Sequence, residues 1–76
     1  MNTGMLWFDN NPKTALSAKI RQAADYYRQK YGATPNLCYV HPTMLKENES
    51  DEGRISVRGY RPVLPGYLWI GLAEKS

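Results

Sequence analysis

The segment formed by residues 30–42 constrains the fold more than any other part of the chain. It reads Lys-Tyr-Gly-Ala-Thr-Pro-Asn-Leu-Cys-Tyr-Val-His-Pro. Gly32 can adopt the left-handed conformation that ends a helix, and Pro35 prevents the helix from resuming. The apolar run that follows is short and has turn-forming residues on both sides, so it predicts a strand. A helix that leads directly into a buried strand predicts a small domain with both α and β structure.

The most regular apolar pattern lies between residues 12 and 31 and predicts one long helix. Asn11 is a candidate N-cap, because its side chain can accept a hydrogen bond from a free backbone N–H group, and Pro12 suits the first turn. Apolar residues then recur with the period of a helix face. This stripe consists of Leu16, Ile20, Ala23, Tyr27 and Tyr31. We expect it to pack on a sheet.

Four strands and a short second helix are predicted around the long helix. The strands span residues 5–8, 36–41, 54–58 and 67–72. The short helix begins at Pro42 and ends at residue 46. Residues 1–4 are expected to form a loose tail, and the acidic residues 47–53 an exposed loop. Pro65 and Gly66 form a favourable turn pair before the last strand.

These elements predict one α+β domain with the order β-α-β-(short α)-β-β and a mixed sheet of three or four strands. The long helix would cross over between the first two strands and make them parallel, and the last two strands would form an antiparallel hairpin. The expected core is Leu16, Ile20, Ala23, Tyr27, Val40, Ile55, Val57, Leu68 and Ile70. A chain of 76 residues buries only about 60% of the surface that its unfolded form exposes. We therefore expect a partner or a second copy of the chain to add to the stability of the fold.

Composition favours a protein of the cytoplasm. A single cysteine excludes an internal disulfide and suits a reducing compartment. Residues 1–4 lack the basic and apolar regions of a signal peptide, and no apolar run is long enough to cross a membrane. We therefore expect a cytoplasmic protein with no membrane partner.

Catalysis is not expected from the residues available. Cys38 and His41 are the only cysteine and the only histidine, and their spacing on one strand points them to opposite faces. One residue of each type cannot complete a zinc site, and the acidic residues 47–52 lack the spacing of a calcium-binding loop. No glycine-rich phosphate motif is present. The sequence therefore predicts a protein without enzymatic activity, cofactor or metal.

Binding is the predicted activity, and the last third of the chain is its predicted location. Arginine, tyrosine and tryptophan, which anchor protein interfaces, concentrate there beside an apolar loop stiffened by two prolines. The predicted binding residues are Arg54, Arg58, Tyr60, Arg61, Val63, Leu64, Tyr67 and Trp69. The preferred partner is another protein or a second copy of this chain. An alternative is that Val63 and Leu64 fold back over the edge of the core.

Nucleic-acid binding is the second hypothesis for the same residues. Arginines neutralise phosphates, and exposed Tyr and Trp rings stack on unpaired bases. If Tyr67 and Trp69 share a sheet face with Arg54 and Arg58, they form a basic and aromatic surface. The net charge is only +3, and an acidic segment directly precedes Arg54. These two features make nucleic acid the less favoured partner.

Overall fold

The computed structural model describes residues 3–45, 49–52 and 55–73 and has one long helix packed on a mixed β-sheet. The elements in chain order are β1 (Thr3–Phe8), α1 (Leu16–Tyr31), β2 (Leu37–Val40), a 3₁₀ turn (Pro42–Met44), β3 (Glu49–Glu52), β4 (Ile55–Gly59) and β5 (Tyr67–Leu72). The predicted α+β class is therefore confirmed. The second helix is a single 3₁₀ turn.

The sheet has the strand order β1-β5-β2-β4-β3. The first two strands run parallel as predicted, but β5 lies between them and is antiparallel to both. The predicted hairpin of the last two strands is wrong, because β2 separates β4 from β5 and pairs parallel with β4. A fully buried strand needs a bonded neighbour on each side, since its backbone polar groups have no access to water. Cys38 and Val40 are fully buried, and β2 occupies the centre of the sheet.

Two segments predicted to be irregular belong to the sheet. Residues 49–52, expected in an exposed loop, form β3 and pair antiparallel with β4, which gives the sheet one strand more than expected. Residues 3 and 4, expected in a tail, begin β1 and stand opposite Leu72 and Gly71. Backbone pairing needs no apolar side chain at the edge of a sheet, so hydrophobic patterning underestimates edge strands.

The helix ends where predicted and begins later. Gly32 has a φ of 71°, and its N–H donates to the carbonyl of Arg28 at 2.8 Å. At the other end, Leu16 rather than Pro12 is the first helical residue. The Asn11 side chain accepts a hydrogen bond from the N–H of Lys13 at 3.0 Å. Asn11 thus closes a local turn instead of capping the helix.

The core lies between α1 and one face of the sheet and contains nearly every predicted residue. Eight of the nine are buried, and Leu16 is half-buried against them. Met5 and Cys38 join this cluster from β1 and β2. Lys19 of α1 is also buried, and its ammonium group donates to the backbone carbonyl of Asp9 at 2.9 Å. This bond ties the start of the helix to the end of β1.

The second face of the sheet carries the other half of each strand's alternating side chains. On β2, Cys38 and Val40 point towards α1, so Leu37 and Tyr39 lie on the opposite face. Among the described residues, α1 is the only α-helix, and it covers only the first face. The second face is called the open face below.

Candidate binding face

Four side chains stand side by side across the open face. The strand register places Leu6 of β1 opposite Trp69 of β5, Trp69 opposite Tyr39 of β2, and Tyr39 opposite Arg58 of β4. Directly opposite residues in neighbouring strands lie close enough for their side chains to interact. The face therefore changes from apolar at β1, through aromatic at its centre, to basic at β4.

The loop of residues 60–66 rises beside this row and encloses a groove of about 630 Å³. We call this feature the aromatic groove. It is lined by Leu6, Tyr39, Tyr60, Pro62, Val63, Leu64, Tyr67 and Trp69. Four of these eight residues are aromatic, and the lining contains no ionisable group other than the tyrosine hydroxyls. The groove is therefore suited to an apolar ligand with a few hydrogen-bonding groups.

The wall formed by the loop is held by turns at both of its ends. At the first, the N–H of Tyr60 donates to the Val40 carbonyl at 2.7 Å, and the N–H of Val63 donates to the Tyr60 carbonyl at 3.1 Å. Val63 is buried under the loop, whereas Leu64 is 63% exposed. Val63 lines the groove and is not part of the core cluster, so neither side chain folds over the edge of the core as the alternative predicted.

The second end of the loop is the predicted Pro65–Gly66 turn. The N–H of Tyr67 donates to the Leu64 carbonyl at 3.0 Å, and Gly66 has a φ of 88°. Proline followed by a glycine with positive φ is typical of a type II turn. The Gly66 carbonyl in turn accepts a hydrogen bond from the N–H of Asp9 at 2.9 Å. The loop is therefore attached to β1 as well as to its own strands.

The aromatic rings at the floor of the groove pack against one another. The ring centroids of Tyr39 and Tyr60 are 4.9 Å apart, and those of Tyr39 and Trp69 are 5.6 Å apart. Both pairs are tilted, an arrangement that aromatic side chains prefer to a flat sandwich. At the rim, Phe8 packs on Tyr67 at 4.7 Å. Tyr39 is the shared member and orients the other two rings of the floor.

The structure brings together five of the eight residues predicted from the sequence. Tyr60, Val63, Leu64, Tyr67 and Trp69 all line the aromatic groove. Of the predicted arginines, Arg58 lies in a neighbouring depression that it shares with Tyr39, and Arg61 is exposed outside the groove lining. Arg54 lies outside the described residues.

Sequence reasoning did not assign Leu6 and Tyr39 to this site. Tyr39 alternates with the buried Cys38 and Val40, and that period of two is a signal that could have placed Tyr39 on the other face. No comparable signal existed for Leu6, since four consecutive apolar residues in β1 do not indicate which of them face the core. The strand order then places both residues beside Trp69.

Cys38 and His41 occupy structural positions. Cys38 is fully buried on the helix-facing side of β2, and burial raises the pKa of its thiol to about 12. A protonated thiol is a poor nucleophile. The Nδ1 atom of His41 accepts a hydrogen bond from the N–H of Thr43 at 3.2 Å and caps the 3₁₀ turn.

Within residues 3–45, 49–52 and 55–73, no group of three or more histidine, cysteine or acidic side chains is arranged to hold a metal ion. The same residues contain no helix long and apolar enough to cross a membrane. No protein-family model, no curated protein and no solved structure matches the chain.

Proposed function

We propose that this protein is a non-catalytic binding module that uses the aromatic groove to bind an extended apolar segment of another protein. The observation that carries the proposal is the groove itself, in which tyrosine and tryptophan rings meet an exposed leucine. Tyrosine and tryptophan are enriched among the few residues that provide most of the binding energy in protein interfaces. The loop is held at both ends, so little conformational entropy is lost when a ligand binds.

The chemistry of the groove favours a segment that contains proline. Aromatic-lined grooves bind polyproline II segments, which are already extended before they bind and so lose little entropy. Tyrosine hydroxyls and the tryptophan N–H can donate to the carbonyl groups of such a segment while the rings contact its apolar side chains. We therefore expect proline and aliphatic residues in the ligand.

A nucleic acid fits the groove less well. The rings of Tyr39, Tyr60 and Trp69 pack on one another, so part of each surface is not available to stack on bases. Beside Arg58, the register places β3, whose sequence is Glu-Ser-Asp-Glu. An acidic strand next to the basic end of the face opposes the binding of phosphates.

A lack of catalytic activity is supported by the environment of Cys38 and His41. The thiol is buried and protonated, and the imidazole is engaged in capping a turn. Neither residue lines the aromatic groove. A ligand in the groove would therefore contact neither group.

Selection of peptides from a displayed random library tests the proposed function, with affinities of the selected peptides then measured by NMR titration. Tyr60→Ala is expected to weaken binding about tenfold or more, as expected for removal of an interface tyrosine. Tyr26→Ala is the matched control, because Tyr26 and Tyr60 are both 48% exposed. Each also packs on an aromatic ring, Tyr26 on that of Trp7 and Tyr60 on that of Tyr39. Tyr26 lies on the helix and not in the groove.

The same titration with a single-stranded oligodeoxythymidine examines the second hypothesis. Selected peptides that shift groove resonances, and bind the control variant unchanged, support the proposed function. Failure to select any peptide, or equal loss in both variants, contradicts it. Binding of the oligonucleotide that falls steeply with salt would assign the groove to nucleic acid instead.

A further inference from the structure

The outer edge of β1 is not paired by any strand among the described residues, and its side chains are unusually apolar for an edge. β1 is the terminal strand of the sheet order, and its sequence, Thr-Gly-Met-Leu-Trp-Phe, contains no charge and no proline. Leu6 and Phe8 are 60% and 54% exposed. Charged residues and prolines are the usual protection of an edge strand against pairing with another chain. β1 has neither.

The opposite edge of the sheet differs in this respect. It is formed by β3, and three of its four residues are acidic. Two acidic strands placed edge to edge would repel each other, because like charges directly opposite in a ladder are destabilising. Self-pairing of the sheet is therefore disfavoured at β3 and unopposed at β1.

The backbone groups of β1 that point outwards can be identified from one hydrogen bond. The N–H of Asp9 donates to the carbonyl of Gly66 at 2.9 Å, and these two residues continue the register of β1 and β5. Bonded and non-bonded pairs alternate in an antiparallel ladder. The odd-numbered residues of β1 are thus bonded to β5, and Gly4, Leu6 and Phe8 direct their N–H and C=O groups to the free edge.

We propose that β1 pairs antiparallel with β1 of a second copy of this chain, with Leu6 opposite Leu6 of that copy at the two-fold axis. In this register Gly4 stands opposite Phe8 and Phe8 opposite Gly4, so all three outward-pointing residues find partners. Each such pair exchanges two backbone hydrogen bonds. The two five-stranded sheets become one continuous sheet.

The apolar side chains of the open face are compatible with this register. The two Leu6 side chains meet on the open face, and across the axis each Phe8 stands opposite Gly4, over which the Trp69 indole lies. The two Leu6–Trp69 rows then become continuous, and both aromatic grooves lie on one face of the joined sheet. The pairing uses the backbone edge of β1 and shares only Leu6 with the lining of the groove, and it does not require that the proposed function be correct.

Charge substitutions at Leu6 test the pairing by analytical ultracentrifugation of the full chain. The unmodified protein is expected to sediment as a dimer, with twice the 8.7 kDa mass of one chain. Leu6→Lys and Leu6→Glu, each alone, place two like charges opposite each other and should weaken the dimer on the order of 100-fold, which is about 2.7 kcal/mol. An equal mixture of the two variants places opposite charges at the axis and should restore dimers of mixed composition.

Leu64→Lys is the matched control, because Leu64 is 63% exposed, lines the same groove and is not part of β1. It should leave the dimer intact while weakening the binding of a selected peptide. A chain that stays monomeric at millimolar concentration overturns the pairing, as does a mixture of the two Leu6 variants that fails to associate. Loss of the dimer in Leu64→Lys would move the self-association to the groove and also overturn it.

Hydrogen exchange supplies a readout for each residue. With rising protein concentration, the amides of Leu6 and Phe8 should become protected, whereas the Trp7 amide, which faces β5, should be protected throughout. Protection of Leu6 and Phe8 that does not change with concentration would contradict the pairing, provided that the protein dimerises over that range. The peptide titration of the groove is unaffected by either result, so the two proposals fail separately.

Discussion

The indole ring of Trp69 lies over the backbone of Gly4, in the space that a Cβ atom at position 4 would occupy. Gly4 lies on β1, diagonally across from Trp69 on β5, where Leu6 is the direct partner. The absence of a side chain lets the ring pack on the strand and form part of the floor of the aromatic groove. One glycine in the edge strand therefore shapes the candidate site.

Gly4→Ala should displace the Trp69 indole and destabilise the fold by about 1–3 kcal/mol, the usual cost of forcing extra volume into a packed site. Urea unfolding and near-ultraviolet circular dichroism measure the two effects. Gly59→Ala is the comparison, since an added Cβ there would approach its nearest atom, in Pro42, at 3.3 Å and require a smaller shift. Equal stability of Gly4→Ala and the parent protein would show that the indole has another low-energy position.

Ile20→Ala should lower the free energy of unfolding by about 2–5 kcal/mol, because Ile20 is buried at the centre of the helix face. That loss is enough to unfold much of so small a domain. Thermal and urea unfolding measure it, with the exposed neighbour Arg21→Ala expected to stay within about 0.5 kcal/mol of the parent. Similar melting temperatures for the two variants would contradict the helix orientation.

Lys19→Met should destabilise the protein by about 1–3 kcal/mol. The substitution keeps most of the buried aliphatic volume but removes the ammonium group that donates to the Asp9 carbonyl at 2.9 Å. Lys13→Met, at an exposed position before the helix, should change stability little. Equal unfolding midpoints in urea would show that the Lys19 bond contributes nothing to stability.

The stability of the protein should fall as the pH rises from about 9 to about 12, in part because of Cys38. The thiol has a pKa of about 12 when folded, against 9.0 when free. Between these values the folded chain keeps a proton that the unfolded chain loses, so this contribution to stability is complete below about pH 9 and is lost progressively as the pH rises to about 12. Cys38→Ala removes it, whereas tyrosine ionisation affects both proteins. Urea unfolding at pH 8 and at pH 10.5 should show a smaller decline in Cys38→Ala, and equal declines would contradict the raised pKa.

The labelling of Cys38 by a thiol-reactive probe offers a second check of its burial. The thiol has no access to solvent in the folded protein, so labelling should be slow in buffer and fast in denaturant. A native labelling rate close to that of the denatured chain would reopen the hypothesis of a reactive cysteine. The peptide and dimer experiments would then need to be repeated with the thiol blocked.

The parts of the fold that were predicted correctly depend on local physics. The end of the helix at Gly32, the turn at Pro65 and Gly66, and the bounds of β5 follow from backbone preferences and a period of two. The core residues of the helix follow from a period of 3.6, since only one face of a helix can pack on a sheet. The types of residue in the candidate site could also be predicted from the sequence, because tyrosine, tryptophan and proline concentrate in residues 60–69.

The remaining features depend on pairings between residues far apart in sequence. No local pattern indicates that β2 separates β4 from β5, or that an acidic segment forms β3, because hydrogen-bonded ladders connect backbone groups of any sequence. The same strand order brings Leu6 and Tyr39 to Trp69 and leaves β1 at an edge. Local sequence patterns were sufficient to predict the helix, its buried face and the residues available for binding. Which of these residues meet in one groove depends on which strands are neighbours, and the strand order follows only from the packing of the whole chain.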